Sequence, residues 1–495
     1  MTLIDRLCRA ARRRLAPHCL RLLGAALPAI SFSAAADWQS LRNLEHGGAR
    51  VSALVMDLGN GGVVEQLNPE QRLTPASLTK LVVAAAALDV WPADKMFQTR
   101  LLGSGPIQGG QIGGDLHMQS LGDATLDHLS MWSLAAQLKG AGITGVAGRL
   151  VVDTAPFGAL GCETKDRCDA LEKSDTAYNA PLAPVSVDFG NWCVDVRPTS
   201  PGAPALVSGC GLAQSPVPVQ GSIRTARNGA QPSFWVERVT TAGADTLRVG
   251  GEVPAGNGVS MYRSMSDPSL GAGMVLREIL QEMGVHVAGA VTVSHAPIPA
   301  GTYTVAESEG LSLKEQLGRM LRFSNNYVAD LLTLNLAAVL SPQPPAKLSD
   351  AARALGDFVA RSGRRKAGPP PLFSGSGLTP ENELSAYDLV DLLAAQYRNT
   401  RNFPAFYGGL VVPRQAPFVF LRNGSPAWLD RVALKTGTMD DPHSVCGIAG
   451  YLRRRDGGWM AFAAIVNGGP QQRHVPLWKA MEAMRADLDS LLARY

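Results

Sequence analysis

Ser77 and Lys80 stand three residues apart in the stretch TPASLTKLVVAAAAL, Thr74 to Leu88. The run behind Lys80 is small and apolar and predicts a helix buried on most sides. A lysine carried on such a helix loses its water. Desolvation disfavours the ammonium and lowers its pKa, so Lys80 is expected to act as a proton acceptor. A serine hydroxyl is a poor nucleophile until a base takes its proton. The preceding NPEQRLTPAS carries a turn signal and a proline, placing Ser77 at or near a helix start. Backbone N–H groups are free there and the helix field favours negative charge. Lys80, one turn on, faces the same way. The pair suits acyl transfer through a serine ester.

Ser-x-x-Lys by itself is a weak signal, because a capping serine beside a surface lysine spells the same pattern. Two further stretches add to it. In RFSNNYVADLL (322–332), Ser324-Asn325-Asn326 interrupts an otherwise amphipathic helix and predicts side chains turned into a cleft. The plain alternative is an inter-helix turn. In ALKTGTM (433–439), Lys435-Thr436-Gly437-Thr438 lies in a strand-like context. Gly437 is expected to let a ligand or a neighbouring backbone approach closely. Lys435 and the two threonines offer a cation and hydroxyls to a carboxylate. The plain alternative is an edge-strand lysine beside a bulge glycine. Each motif occurs once, in this order.

Together the three motifs resemble those of the penicillin-recognising serine enzymes. The long interval from Ser77 to Ser324 is similar to that of the D-Ala-D-Ala carboxypeptidase/endopeptidase family, the low-molecular-mass class C penicillin-binding proteins of peptidase family S13. The likeness runs through LTPASLTKL, GDATL…GRLVVD, YNAPLAPVSVDF, LRFSNNYVADLL and KTGT…AGYL. It implies an α/β (α+β) fold: a transpeptidase-like domain, its antiparallel sheet flanked by helices, split by a large β-rich insertion. It implies that Ser77 attacks the carbonyl of the penultimate D-Ala, with Lys80 as general base and Ser324 as proton relay. Asn326 would bond the substrate amide and Lys435 would hold the site's electrostatics. Thr436, Gly437 and Thr438 would form the substrate-binding strand, with the N–H groups of Ser77 and Thr438 as oxyanion hole. An acidic residue of the insertion would meet the substrate's side-chain amine. Asp175, in EKSDTAYNAP, is the candidate, against a plain solvated loop aspartate. Stem peptides of peptidoglycan ending in D-Ala-D-Ala are the implied partners, β-lactams the implied covalent inhibitors, and no cofactor is required.

Three stretches depart from that family's pattern. Ser374-Gly375-Ser376-Gly377-Leu378-Thr379 lacks the usual leading aspartate, the stretch 408–434 lacks the usual glycine-rich approach to the lysine, and MDDPH (439–443) is an altered turn. Substrate preference and efficiency are the properties they bear on.

The elements that must position these residues come from both ends of the chain. VSALVMDL (51–58) alternates as a strand does, and GNGG (59–62) reads as its hairpin turn. SVCGIAGYL (444–452) and WMAFAAIVNGG (459–469) read as strands joined by RRRDGG. A last helix covers about 476–495, with Leu477, Met481, Met484, Leu488 and Leu491 on one face as core packing. One sheet built from both termini is expected. Between them, 123–153 and 267–293 echo one another as Asp-x-[Ser/Thr]-Leu, helix, Gly-[Ile/Val], Gly, strand. The domain expectation is a catalytic domain of 37–95 and 305–495, a second domain of 96–185 and 265–304, and a third of 186–264.

With 495 residues, 46% hydrophobic and 18% charged, the chain has globular composition. Residues 1–36 read as a secretory signal: six arginines, a short apolar stretch broken by Pro28, and Ala34-x-Ala36 before Asp37. The stretch is too short and broken for a membrane span, leaving at most peripheral membrane association. Removing it takes away six basic residues and one acidic one, so the net charge falls from +4 to −1 and nucleic-acid binding loses its footing. Export to the periplasm is the implied location. Of the five remaining cysteines, Cys162, Cys168, Cys193 and Cys210 cluster. Two disulfides are expected in an oxidising compartment, the local pairings being Cys162–Cys168 and Cys193–Cys210, with three connectivities open. The spacings lack the paired knuckles of a zinc site. Cys446 reads as a buried free thiol.

Three other chemistries lack the residues they need. A class A β-lactamase needs Glu-x-x-x-Asn between the second and third motifs, and neither Glu381 nor Glu383 has it. There is no Gly-x-Ser-x-Gly for a conventional triad and no His-Glu-x-x-His for a metal site. A non-catalytic envelope protein that binds peptidoglycan or a partner is the alternative of a different class.

Overall fold

The computed structural model describes residues 38–495 apart from 121, 159, 173–176, 342, 344, 346 and 364–367. Residues 1–36, the expected signal, and Asp175 therefore lie outside the described residues. A mixed α/β architecture is present, and both chain ends build one five-stranded antiparallel sheet. Its order is Val63–Leu67, Arg50–Asp57, Trp459–Asn467, Val445–Arg453, Val432–Met439.

Helices cover both faces of this sheet. That is why WMAFAAIVN is apolar almost throughout instead of alternating: both sides of the strand are buried. Ala461, Ala463 and Ile465 face one core, which holds the helix Thr79–Val90 and its neighbours Leu313–Phe323, Asn326–Leu340 and Ala386–Arg398. Met460, Phe462, Ala464 and Val466 face the other, closed by Gln39–His46 and Leu477–Arg494. Met481, Met484, Leu488 and Leu491 of the expected stripe are in that core. Leu477 is 38% exposed and belongs to the helix start instead.

The two echoing stretches fold alike and sit side by side. Leu150–Asp153 pairs in parallel with Val291–Ser294, and Gly145–Val146 with His286–Val287. Their helices, His128–Gly140 and Pro268–Glu282, are each capped by an aspartate. The caps are Asp127 and Asp267, so the echo is offset at its start. Asp123, which the echo sets against Asp267, instead accepts from Thr125 N and Oγ1.

The strand Tyr303–Ser312 pairs with Met96–Gly103 along its length. The expected boundary at 304/305 falls inside that strand, and the sheet contacts continue to Ser312. Residues of 186–264, such as Trp192, Val236 and Leu247, share one buried core with Met131, Leu134 and Leu276 of the flanking segments. Cys162–Cys168 and Cys193–Cys210 are disulfide-bonded. Cys446 is a buried thiol, its pKa pushed up to about 12 by burial. No described helix is long and apolar enough to cross a membrane, and no cluster of metal-ligating side chains occurs among the described residues.

Candidate active site

The nucleophile turn is pinned before it begins. Thr74 N donates to Asn467 Oδ1 at 2.9 Å, and Asn467 Nδ2 donates back to Thr74 O at 3.0 Å. Residues Ala76–Leu78 then make one tight 3-10 turn, and the helix Thr79–Val90 follows. Ala76 adopts φ 46°, a left-handed conformation. Such a backbone costs a non-glycine residue about 1–2 kcal/mol. Thr79 Oγ1 donates to Ala76 O at 3.0 Å and holds it there. Against the same carbonyl lies Gly377 at φ +74°, where an added Cβ would fall 1.8 Å from Ala76 O. Only glycine fits.

Residues Thr79 to Leu88 are all buried, and Lys80 among them is 0% exposed. Its Nζ lies 2.8 Å from Ser77 Oγ, 2.8 Å from Asn326 Oδ1 and 2.6 Å from Ser376 O. The last two oxygens are carbonyl oxygens that only accept. A neutral amine has two protons and one lone pair. With both protons donated to Asn326 and Ser376, the lone pair is left facing Ser77 Oγ. Burial sets the protonation state: it pulls the Lys80 pKa well below its usual value, the Lys435 charge adds to this, Asp330 opposes it and Arg167 reinforces it.

The Ser-Asn-Asn break divides its labour. The helix Leu313–Phe323 ends on Ser324, at φ 57°. Asn325 caps the next helix, Asn326–Leu340, its Oδ1 accepting from Val328 N at 2.9 Å. The middle residue thus serves the backbone, and its two neighbours face the site. Asn326 meets Lys80, and Ser324 Oγ accepts from Lys435 Nζ at 3.0 Å.

Lys435 is 1% exposed and also donates to Thr436 O at 2.6 Å. Burial lowers its pKa to about 7. It belongs to the edge strand Val432–Met439. Leu434 uses its outer main-chain groups on Val411, at 2.8 and 2.9 Å. The two-residue period of a strand puts the main-chain groups of Thr436 and Thr438 on the same open edge. Gly437 allows a backbone approach, not a ligand's: a Cβ there would lie 2.5 Å from Pro75 O and 3.1 Å from Leu78 N. The strand and the nucleophile turn touch through this glycine. Thr436 is mostly buried and Thr438 is exposed.

Ser77, Lys80 and Asn326 thus form one hydrogen-bonded set, and Ser324 and Lys435 a second; the two adjoin at the Ser324–Asn326 break, and the Lys435 charge acts on Lys80. Three contributors were not found from sequence: the Ser376 carbonyl, Asp330 and Arg167. A charged residue inside the apolar run YVADLL was the available signal for Asp330. The carbonyl left none, since every residue has one. In the loop that departs from the family pattern, neutral side chains take the bonds on either side of Ser376, whose N–H donates to the Asp330 carboxylate. Ser374 Oγ accepts from Gly377 N and Thr379 Oγ1 at 3.2 and 2.9 Å, and Asn382 Oδ1 accepts from Phe373 N at 2.7 Å. In the departing stretch 408–434, Ala416, Leu421 and Trp428 are buried in the core on the sheet's opposite side, where they support the edge strand.

Comparison with known proteins bears on this arrangement. The sequence model of the family described as D-Ala-D-Ala carboxypeptidase 3 (S13) matches residues 38–491. A D-alanyl-D-alanine carboxypeptidase of Actinomadura sp. (strain R39) is 29% identical over 437 residues, covering 85% of this chain and 78% of the relative. The D-alanyl-D-alanine carboxypeptidase DacB of Haemophilus influenzae is 24% identical over 431 residues, covering 85% and 86%. The crystal structure of penicillin binding protein 4 from Haemophilus influenzae superposes with a TM-score of 0.71 at 22% identity, covering 90% of this chain and 97% of that one.

Proposed function

The chain belongs to the D-Ala-D-Ala carboxypeptidase 3 (S13) family, and on that footing we propose that Ser77 is the acylated nucleophile of a serine-type D-Ala-D-Ala carboxypeptidase acting on peptidoglycan stem peptides. The observation that carries the assignment of roles is the Lys80 amine, buried, 2.8 Å from Ser77 Oγ and flanked by two oxygens that only accept. The Ser77 proton passes to Lys80 Nζ as Oγ bonds to the carbonyl carbon of the penultimate D-Ala. The N–H groups of Ser77 and Thr438 take the developing oxyanion. Collapse breaks the peptide bond, and Ser324, beside Lys435, relays a proton to the departing D-Ala nitrogen. Water then hydrolyses the ester. Asn326 holds both Lys80 and the substrate amide, and Thr436 and Thr438 bind the terminal carboxylate on the open strand edge. A β-lactam enters by the same route and leaves a slow ester. A solved structure of the Haemophilus influenzae protein is a complex with a β-lactam, which supports this reading. The proposed location is the periplasm, after removal of residues 1–36. Asp175 is retained as the proposed contact for the substrate's side-chain amine.

A fluorescent penicillin tests the proposal. Covalent labelling is expected in the native protein and none in Ser77→Ala. Release of D-Ala from a pentapeptide ending in D-Ala-D-Ala, run beside cross-linked muropeptides, measures carboxypeptidase against endopeptidase action. Folded native protein that neither labels nor releases D-Ala would return the chain to the non-catalytic, binding class.

A further inference from the structure

We infer that the buried ion pair Arg167–Asp330 is a positioning device for the general base: it fixes the Ser376 backbone so that the Ser376 carbonyl aims Lys80 at Ser77. This rests on the acyl-enzyme reading above and adds two residues that never touch substrate.

The chain of contacts is continuous. Asp330 is 0% exposed and Arg167 4%. One carboxylate oxygen of Asp330 accepts from the Arg167 guanidinium, and the other accepts from Ser376 N at 2.7 Å. The carbonyl of the same residue, Ser376, accepts from Lys80 Nζ. A peptide unit held at its N–H by a charged acceptor has little freedom to swing its neighbouring carbonyl. Remove that acceptor and the glycines on both sides, Gly375 and Gly377, leave Ser376 free to turn. Lys80 then loses one of the two acceptors that occupy its protons, and its lone pair no longer has to face Ser77.

Arg167 is fixed in turn. Its guanidinium also donates to Ala180 O at 2.5 Å and reaches Asn326 O at 3.4 Å. The next residue, Cys168, is bonded to Cys162, which closes the loop leading to it. The pair therefore touches two of the groups that hold Lys80, Asn326 through its backbone and Ser376 through its amide.

The groups whose charges act on Lys80 are Lys435 from the edge strand, Asp330 from the helix Asn326–Leu340, and Arg167 from the helix Lys165–Glu172. A positioning role predicts a signature that a merely structural one does not. Asp330→Asn removes an anion that favours the Lys80 ammonium. The acid limb of the acylation rate against pH should move to lower pH, and the plateau rate should fall about tenfold or more from loss of aim. Arg167→Met leaves the Asp330 charge uncompensated. Its acid limb should move to higher pH, with the plateau again reduced.

The experiment measures the second-order rate of labelling by a fluorescent penicillin across pH, with thermal melts of each variant. A single variant that unfolds, because one buried charge is left alone, is replaced by Asp330→Leu with Arg167→Met. That neutral pair is expected to fold and to keep the reduced plateau. Opposite shifts of the two single variants, or a tenfold lower plateau in the folded double variant, support the inference. A folded Asp330→Asn or double variant whose plateau and acid limb coincide with those of the native protein overturns it. Absence of labelling in the native protein itself is a different result and strikes the acyl-enzyme reading instead.

Discussion

At the scale of single residues, the site depends on two lysines that the fold keeps from water. Lys435 illustrates the conflict between stability and activity. Its folded pKa, about 7, lies well below the ordinary lysine value of 10.5. Between those values the unfolded chain binds more protons than the native one, so this group makes stability rise with pH across that window and weakens the fold below it. Lys80 acts in the same sense. On the proposed mechanism activity runs the other way for Lys435, because the charge with which it would hold the site's electrostatics is lost as pH climbs past about 7. In kcat/KM for a D-Ala-D-Ala peptide, an alkaline decline is expected over the range where thermal stability improves. Lys435→Met should flatten the stability slope and raise stability at neutral pH by about 1 kcal/mol. It should slow acylation by about 10²–10³-fold. Melts and labelling rates on one protein across pH check both halves; a Lys435→Met protein less stable than the native one at neutral pH contradicts the argument.

At the scale of elements, catalysis rests on the fit of a strand against a turn. Gly437 brings the edge strand onto Pro75 and Leu78, and the distances there leave no room for a methyl group. Gly437→Ala must push Val432–Met439 away from the turn Ala76–Leu78. Overpacking of this kind costs roughly 1–3 kcal/mol. A displacement of about 1 Å between nucleophile and oxyanion donor costs on the order of 10²-fold in rate. The expected phenotype is a folded, somewhat less stable protein whose penicillin labelling is slowed about a hundredfold. Labelling at the native rate would show that the turn and the strand need not touch. The Ser324-Asn325-Asn326 break has the same character. Its first residue ends one helix in a left-handed conformation, its second caps the next, and only then do Ser324 and Asn326 face the two lysines.

For the whole molecule, the catalytic sheet closes only when both chain ends are in place. Asp487, near the C-terminus, accepts from Ser40 N and Leu41 N at 3.0 Å and caps the first described helix across more than four hundred residues. Asp487→Ala should lower stability by about 1–2 kcal/mol. Labelling per folded molecule should stay unchanged well below the melting temperature, because the helix lies on the sheet face opposite the core that holds Lys80. Denaturant melts paired with labelling check this. A labelling rate that falls with Asp487→Ala in folded protein would mean that this tie reaches the site.

Residue order settled a good deal unaided. Ser77, Lys80, Ser324, Asn326 and Lys435 were legible because each lies in a short pattern whose chemistry needs fixed local spacing. The terminal strands and the last helix were legible because burial imposes a period on a regular element. Three-dimensional packing decided the rest. The carbonyl of Ser376 carries no side-chain signature, and Asp330 with Arg167 joins segments 163 residues apart in sequence. The purpose of Gly437 could be narrowed to close approach but not to which neighbour. The strand Tyr303–Ser312 runs on past the expected boundary near 304 because a strand ends where its partner ends, and partners are chosen by the sheet. Local patterns encode what a residue is able to do; which atoms it meets is fixed only when distant segments are brought into one core.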